Sequence, residues 1–132
     1  MTDSPPLMPK EPKGDLVIRT IALPRDTNSY GDIFGGWLLS QMDLGGGIAA
    51  KEITGGRVTT VAIDRMRFWN PVQVGDTVCC YAHLARLGTT SVTFEIAAWA
   101  TPIQRELRRC VTQALFTYVL LDDQGRPKPI PR

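Results

Sequence analysis

One long apolar helix is predicted early in the chain, over residues 34–53. Its apolar residues recur at the spacing of a helix face, at Trp37, Leu38, Met42, Ile48 and Ala49. Three consecutive glycines at positions 45–47 would each weaken an isolated helix by up to about 1 kcal/mol relative to alanine. That cost is reasonable only where another element packs very close to the helix. We therefore expect the helix to be central, with a sheet wrapped around it.

The remaining regular structure is predicted to be β-strand. Five segments have the apolar or alternating character of strands and are bounded by turn-forming residues: 16–22, 58–69, 77–87, 91–101 and 107–121. A break is predicted over residues 102–106. Because long strands follow one another through short turns, we expect a largely antiparallel sheet. The predicted fold class is α+β, a hotdog architecture in which an antiparallel sheet curls around one long central helix.

The composition limits the chain to one domain. With 132 residues, 43% of them hydrophobic, the chain can bury one core but not two. Four prolines among the first fifteen residues predict a disordered lead-in over residues 1–13, followed by a single domain over residues 14–132. The net charge of +2 is too small to indicate a nucleic-acid partner. The sequence contains no run of about 18 apolar residues, so no membrane span is predicted.

The cysteines predict a reduced, cytoplasmic protein. Cys79, Cys80 and Cys110 are odd in number and lack the CxxC spacing, so they indicate neither a disulfide framework nor a metal site. Cys79 and Cys80 are neighbours that point to opposite faces of a strand and would not readily pair. The N-terminus has no apolar segment followed by a cleavage site, so we expect no signal peptide.

The candidate catalytic residues lie in the helix and in the loop just before it. An Asn- and Gly-rich loop leads to Gly35 and Gly36, where the first backbone N–H groups of the helix are free and carry the positive end of its dipole. Such groups can hold a developing negative oxygen. Asp43 lies within the apolar helix, where a carboxylate needs partners; the alternative is an Asp making a local hydrogen bond. An oxyanion site and a carboxylate on one element predict acyl chemistry.

Three stretches resemble a known family: DTNSYGDIFGGWLLSQMD, GRVTTVAIDRMRFWNPVQVGDTVCCYA and GTTSV. With them, residues 14–131 resemble the YciA-type bacterial acyl-CoA thioesterases of the hotdog superfamily. The resemblance implies hydrolysis of acyl-CoA to a carboxylic acid and free CoA. It implies catalytic roles for Asp43, for Asn28 in the loop, and for the backbone N–H groups of Gly35 and Gly36. Many relatives have His before the glycine pair, where this chain has Phe34.

Asp43 is predicted to deprotonate a water molecule as a general base, or to attack the carbonyl itself and form an anhydride. Gly35 and Asp43 are eight residues apart, about 12 Å along a helix axis. An N–H group and a water molecule within about 3 Å of one carbonyl are not easily placed so far apart. We therefore predict a dimer in which Asp43 of one subunit and the Asn28 and Gly35 region of the other share a site. The resemblance implies the same dimer and a trimer of dimers.

Four residues are predicted to contact the CoA part of the substrate. Arg86, Thr90 and Ser91 surround the GTTS turn and are suited to the pantetheine or the phosphates; the alternative is that they are ordinary hairpin residues. Arg57 is predicted to meet the phosphates. CoA enters only as part of substrate and product, so no separate cofactor and no metal are expected.

Two other functions on this fold are alternatives. An acyl-thioester dehydratase usually needs a His paired with an acid near the helix, but His83, the only histidine, lies in a predicted strand. A non-catalytic acyl-CoA-binding protein would not need Asp43 and Asn28 together. Both alternatives are therefore disfavoured relative to the thioesterase.

Overall fold

The computed structural model describes residues 7–104 and 107–132. Within them, one α-helix, α1 (Gly35–Thr54), and a short 3-10 helix (Pro24–Asp26) that precedes it follow the first of five strands: β1 (Asp15–Ile21), β2 (Arg57–Phe68), β3 (Thr77–Leu87), β4 (Ser91–Thr101) and β5 (Arg109–Leu121). All strand pairs are antiparallel, and the sheet has the order β1-β3-β4-β5-β2. The predicted hotdog architecture is confirmed.

The predicted elements are present with small shifts at their ends. α1 begins at Gly35 because Phe34 has extended backbone, and it ends where Gly55 takes a left-handed conformation with a φ of 74°. There the Gly55 N–H donates to the Lys51 carbonyl at 2.8 Å. β5 begins at Arg109, two residues later than predicted. Residues 105 and 106, part of the predicted break, lie outside the described residues.

The core lies between α1 and the inner face of the sheet. Leu38, Met42 and Ala50 of α1 are buried in one cluster with inward-pointing residues of the strands. Along β5 the alternation is regular, since Ala114, Phe116, Tyr118 and Leu120 are buried and their neighbours are partly exposed. The sheet thus covers one side of the helix, and α1 presents its other side outward.

The glycine triplet has a narrower role than predicted. A Cβ at Gly45 would collide with Val17 of β1, and a Cβ at Gly46 would overlap the Tyr118 hydroxyl. At Gly47 a Cβ would meet nothing within 4 Å. The prediction that the glycines allow close packing is therefore confirmed for Gly45 and Gly46 and wrong for Gly47 within this chain.

The lead-in to the domain lies against the outer face of the sheet. Residues 7–14 contain no helix or strand. Lys13 Nζ lies 3.9 Å from Glu95 Oε1 on β4, and Asn70 Nδ2 lies 3.4 Å from Met8 Sδ. Residues 1–6 of the predicted disordered segment lie outside the described residues, and its disorder stays a prediction.

The three cysteines are buried free thiols. Burial raises the pKa of Cys80 to about 12 and that of Cys110 to about 11, so both thiols stay protonated and poorly reactive near neutral pH. In residues 7–104 and 107–132, no helix is long and apolar enough to cross a membrane. Over the same ranges, no group of three His, Cys, Asp or Glu side chains is placed to hold a metal ion.

Candidate active site

Asp43 lies half-buried near the middle of α1, facing β2 and β5. Its Oδ1 accepts hydrogen bonds from the Thr60 hydroxyl at 2.7 Å and from the Tyr118 hydroxyl at 3.0 Å. The Tyr118 hydroxyl also lies 3.2 Å from the Asp43 backbone oxygen. Thr60 and Tyr118 are directly opposite each other on β2 and β5. One cross-strand pair therefore holds one oxygen of the carboxylate.

The second oxygen of Asp43 has a different environment. No residue in the described part of the chain donates a hydrogen bond to Oδ2. Two neutral hydroxyl donors orient the carboxylate without neutralising its charge. One oxygen is thus anchored while the other is free to take a proton or to attack a carbonyl carbon.

Tyr118 is held in its protonated form. The residue is 1% exposed. Burial, and next the negative charge of Asp43, raise the pKa of Tyr118 well above its ordinary value of 10.0. Its hydroxyl therefore remains a hydrogen-bond donor to Asp43 across the neutral and mildly alkaline range.

A mainly apolar cavity of about 330 Å³ opens beside Asp43. Its walls include Leu44, Gly47 and Ile48 from α1 and Val58 from β2. Leu44 and Ile48 are exposed apolar side chains. The arrangement places a charged carboxylate at the edge of an apolar surface, which suits a substrate with a reactive carbonyl and an apolar chain.

The start of α1 offers free backbone donors. Gly35 and Gly36 are exposed in its first turn, and no side chain caps the helix at Phe34. Their N–H groups donate to no acceptor in the described chain. A separate cavity of about 340 Å³ opens here, with Gly35, Ile33 and Phe68 among its walls. A negative oxygen placed here would meet free N–H groups and the positive end of the helix dipole.

The two cavities share no lining residue. Gly35 lines the cavity of about 340 Å³ and Asp43 lines the cavity of about 330 Å³. Along the helix axis the two residues are eight positions, about 12 Å, apart. Within one chain, the structure does not bring Asp43 and the helix-start donors around a single carbonyl group.

Asn28 organises the loop before α1. Its Oδ1 accepts hydrogen bonds from the backbone N–H groups of Tyr30 and Asp32, at 2.9 and 3.1 Å. Gly31 follows with a φ of 85°, in the left-handed region that glycine adopts readily. Asn28 therefore has a structural role in this turn. Its Nδ2 amide donates to no acceptor among the described residues and is the part left for a ligand.

The residues predicted to contact CoA lie at one end of the sheet. Thr90 and Ser91 belong to the β3–β4 hairpin, and the Thr90 carbonyl accepts the Leu120 N–H of β5 at 3.0 Å. Arg57 begins β2 on the other side of β5, two strand spacings or about 10 Å away. Arg86 is exposed near the end of β3. The fold thus gathers these four residues at one end of the sheet, with Arg86 on the same β3–β4 hairpin as Thr90 and Ser91, and with Arg57 on β2.

Residues 30–106 match the family model described as the thioesterase superfamily. The chain belongs to this superfamily. The predicted resemblance to YciA-type thioesterases is confirmed, because the chain is 53% identical over 127 residues to the acyl-CoA thioester hydrolase YciA of Salmonella typhimurium. That alignment covers 94% of this chain and 96% of the relative.

Solved structures agree with the assignment. A hexameric thioesterase from Yersinia pestis superposes with a TM-score of 0.88 at 53% identity, covering 93% of this chain and all of the other. A hexameric broad-specificity acyl-coenzyme A thioesterase, solved as an Asp-to-Ala mutant enzyme, superposes with a TM-score of 0.87 at 49% identity. That superposition covers 91% of this chain and 88% of the mutant enzyme.

Two residues of this thioesterase site were missed by sequence reasoning. Thr60 and Tyr118 both lie in predicted strands, but neither was assigned a role. The available signal was Tyr118 itself, since a buried tyrosine hydroxyl in an otherwise apolar strand needs a hydrogen-bond partner. Nothing in the sequence indicated that this partner is Asp43, because the pairing joins elements 75 residues apart.

Proposed function

We propose that this thioesterase hydrolyses acyl-CoA to a carboxylic acid and free CoA, with Asp43 activating the attack. The observation that carries the proposal is the half-buried Asp43 carboxylate, anchored at Oδ1 by Thr60 and Tyr118 and unpartnered at Oδ2, beside an apolar cavity. The name acyl-CoA thioester hydrolase, carried by a relative 53% identical over nearly the whole chain, supports this substrate class.

Two routes are compatible with this geometry. In the first, Asp43 Oδ2 takes a proton from water, the water oxygen attacks the thioester carbon, and the C–S bond breaks as CoA leaves and receives that proton. In the second, Oδ2 attacks the carbon itself and the C–S bond breaks, so that CoA leaves as a thiolate. Water then hydrolyses the resulting anhydride, which releases the acid, regenerates the Asp43 carboxylate and supplies the proton that the thiolate takes up. In both routes the negative charge that develops on the carbonyl oxygen is held by the N–H groups of Gly35 and Gly36.

The active site is proposed to combine two subunits. Gly35 and Asp43 line separate cavities of one chain. β2 is an edge strand with exposed apolar residues at Val61 and Ile63, which suits pairing with a second copy. Because Thr60 belongs to the same strand, such pairing would place the second copy next to Asp43. We infer a dimer with two shared sites and a trimer of dimers, in line with the hexameric Yersinia pestis thioesterase.

Substrate positioning is assigned to the loop and the sheet end. The free Nδ2 of Asn28 is proposed to orient the attacking water or the thioester. We propose that CoA is bound by four residues at this end of the sheet: Arg57, Arg86, Thr90 and Ser91. They lie near the catalytic carboxylate, because Leu120, which bonds to the hairpin, is only two residues, about 7 Å, from the Tyr118 that holds Asp43. No separate cofactor is needed for this chemistry. Three free buried cysteines fit the proposed cytoplasmic location.

A panel of acyl-CoAs tests the function directly. Wild type should release free thiol from acyl-CoA, and Asp43→Ala should lose at least about 100-fold in kcat while still binding CoA. Asp43→Asn, which keeps the shape and the hydrogen bonds from Thr60 and Tyr118, should be similarly inactive. Undiminished turnover in Asp43→Asn would remove Asp43 from the mechanism, and binding without turnover in wild type would favour a non-catalytic acyl-CoA-binding protein.

A further inference from the structure

Gly47 is a glycine that the packing of this chain does not require. Its neighbours Gly45 and Gly46 leave room for Val17 and Tyr118, but a Cβ at Gly47 would meet nothing within 4 Å. Its backbone is helical and not in the left-handed region. Glycine in a helix interior destabilises the helix relative to alanine. The open space at Gly47 is therefore available to a molecule that is not part of this chain.

The position of Gly47 indicates what that is. Gly47 lies one helical turn, about 6 Å, beyond Asp43 and on nearly the same face of α1. Both residues line the cavity of about 330 Å³, together with Leu44, Ile48 and Val58. Any thioester attacked by Asp43, or by a water molecule that Asp43 deprotonates, must place its carbonyl carbon close to that carboxylate. The group attached to that carbon then has the open surface at Gly47 directly within reach.

We propose that the acyl chain of the substrate lies over Gly47, and that this residue sets how large an acyl group the enzyme accepts. The inference rests on the proposed acyl-CoA hydrolysis and adds a specificity-determining residue to it. Without a side chain at Gly47, the wall of the cavity is helix backbone, and its depth there is the greatest that an α-helix allows.

The lining favours the acyl chain over the pantetheine arm of CoA. Leu44, Ile48 and Val58 offer an apolar surface, whereas the pantetheine amides need hydrogen-bond partners. The polar side chains of the lining are Asp43 with its two donors, Thr60 and Tyr118, and Lys51, which lies one helical turn beyond Gly47. None of the four residues predicted to contact CoA lines this cavity. A side chain of the second subunit is the other possible occupant of this cavity, and the experiment below distinguishes it from an acyl chain.

The test is a series of Gly47→Ala, Gly47→Val and Gly47→Leu, assayed for kcat/KM on acyl-CoAs from acetyl to long-chain. We expect acetyl-CoA hydrolysis to change less than about twofold, and long-chain hydrolysis to fall about 10-fold or more in Gly47→Val, with the tolerated chain length shortening as the side chain grows. Gly47→Ala should raise the melting temperature, since alanine stabilises the helix and meets no atom of this chain.

The control is Glu52→Val, which places the same branched side chain on the opposite face of α1 from Asp43. It should leave the chain-length profile unchanged. Equal losses of kcat/KM for every acyl length would place pantetheine over Gly47 and overturn the proposal. Dissociation of the oligomer, measured by light scattering, would place a subunit contact at Gly47 and would also overturn it. A wild type that hydrolyses no acyl-CoA would instead overturn the proposed function and this inference with it.

Discussion

Asp43 accepts hydrogen bonds from two hydroxyl groups on neighbouring strands, and the two residues that carry them differ in burial. Thr60 is partly exposed on an edge strand, whereas Tyr118 is fully buried between β4 and β2. Tyr118 also fills the space left by Gly46. The residue that orients the carboxylate is therefore also part of the core, so its removal affects both activity and stability.

Tyr118→Phe should lower the free energy of unfolding by about 1–2 kcal/mol at neutral pH, because a hydrogen bond to a charged group is lost. The folded-state pKa of Tyr118 is raised above the unfolded value of about 10, so this contribution is complete below pH 10 and is lost as the pH rises further. Urea unfolding of both proteins from pH 7 to 11 should show the difference shrinking above pH 10.

Tyr81→Phe is the matched control, since Tyr81 lies on the outer face of the sheet with its hydroxyl 3.3 Å from the Arg108 guanidinium. It should lower stability less and leave kcat unchanged. Tyr118→Phe should lower kcat, because Asp43 Oδ1 then keeps only the Thr60 donor. An unfolding difference that is constant from pH 7 to 11 would contradict the buried, protonated state of Tyr118.

At the scale of elements, the C-terminal segment braces the hairpin that is proposed to bind CoA. The Ile130 N–H donates to the Thr89 carbonyl at 2.8 Å, and the Lys128 N–H donates to the Leu120 carbonyl at 2.9 Å. The Arg132 guanidinium donates to the Gly88 carbonyl. Ile130 itself is buried in the core cluster. A segment that reads as a polar, proline-rich tail thus fixes the β3–β4 turn.

Ile130→Ala should lower the free energy of unfolding by about 2 kcal/mol, through loss of buried side-chain volume. It should also raise KM for all acyl-CoAs by a similar factor, because Thr90 and Ser91 are then held less firmly. Pro131→Ala, at the exposed neighbouring position, should change neither quantity appreciably. Equal stability of the two variants in urea would show that the segment does not brace the hairpin.

At the scale of the whole molecule, one chain has both parts of the proposed chemistry, but they line separate cavities. The helix dipole and the free N–H groups are at one end of α1, and the carboxylate is two turns further along. An edge strand with exposed apolar residues lies beside the carboxylate. The geometry of the single chain therefore favours function as an oligomer.

Mixing inactive subunits tests this arrangement. Asn28→Ala and Asp43→Ala homo-oligomers should each be nearly inactive, but a mixed dimer with shared sites has one intact site and should regain about half of the wild-type activity. Thiol release is measured before and after subunit exchange, with two Asp43→Ala preparations mixed as the control. If each chain carried its own complete site, exchange would restore no activity.

The secondary structure of this protein, and several of its candidate catalytic groups, could be predicted from the sequence alone. Helical spacing gave α1, two-residue alternation and turn residues gave the strands, and both follow from local backbone geometry. The free N–H groups of Gly35 and Gly36 also follow locally, because every helix start leaves such donors. Asp43 was singled out because a carboxylate in an apolar helix needs partners.

Tertiary structure decided what those residues contact. Only the register of β2 and β5 places Thr60 and Tyr118 on one oxygen of Asp43, and register depends on contacts between residues far apart in the chain. The same three-dimensional packing divides a run of identical glycines into two that make room for Val17 and Tyr118 and one, Gly47, that faces an open cavity. Local sequence cannot make that distinction, because it depends on which atoms of other elements lie above each turn of the helix.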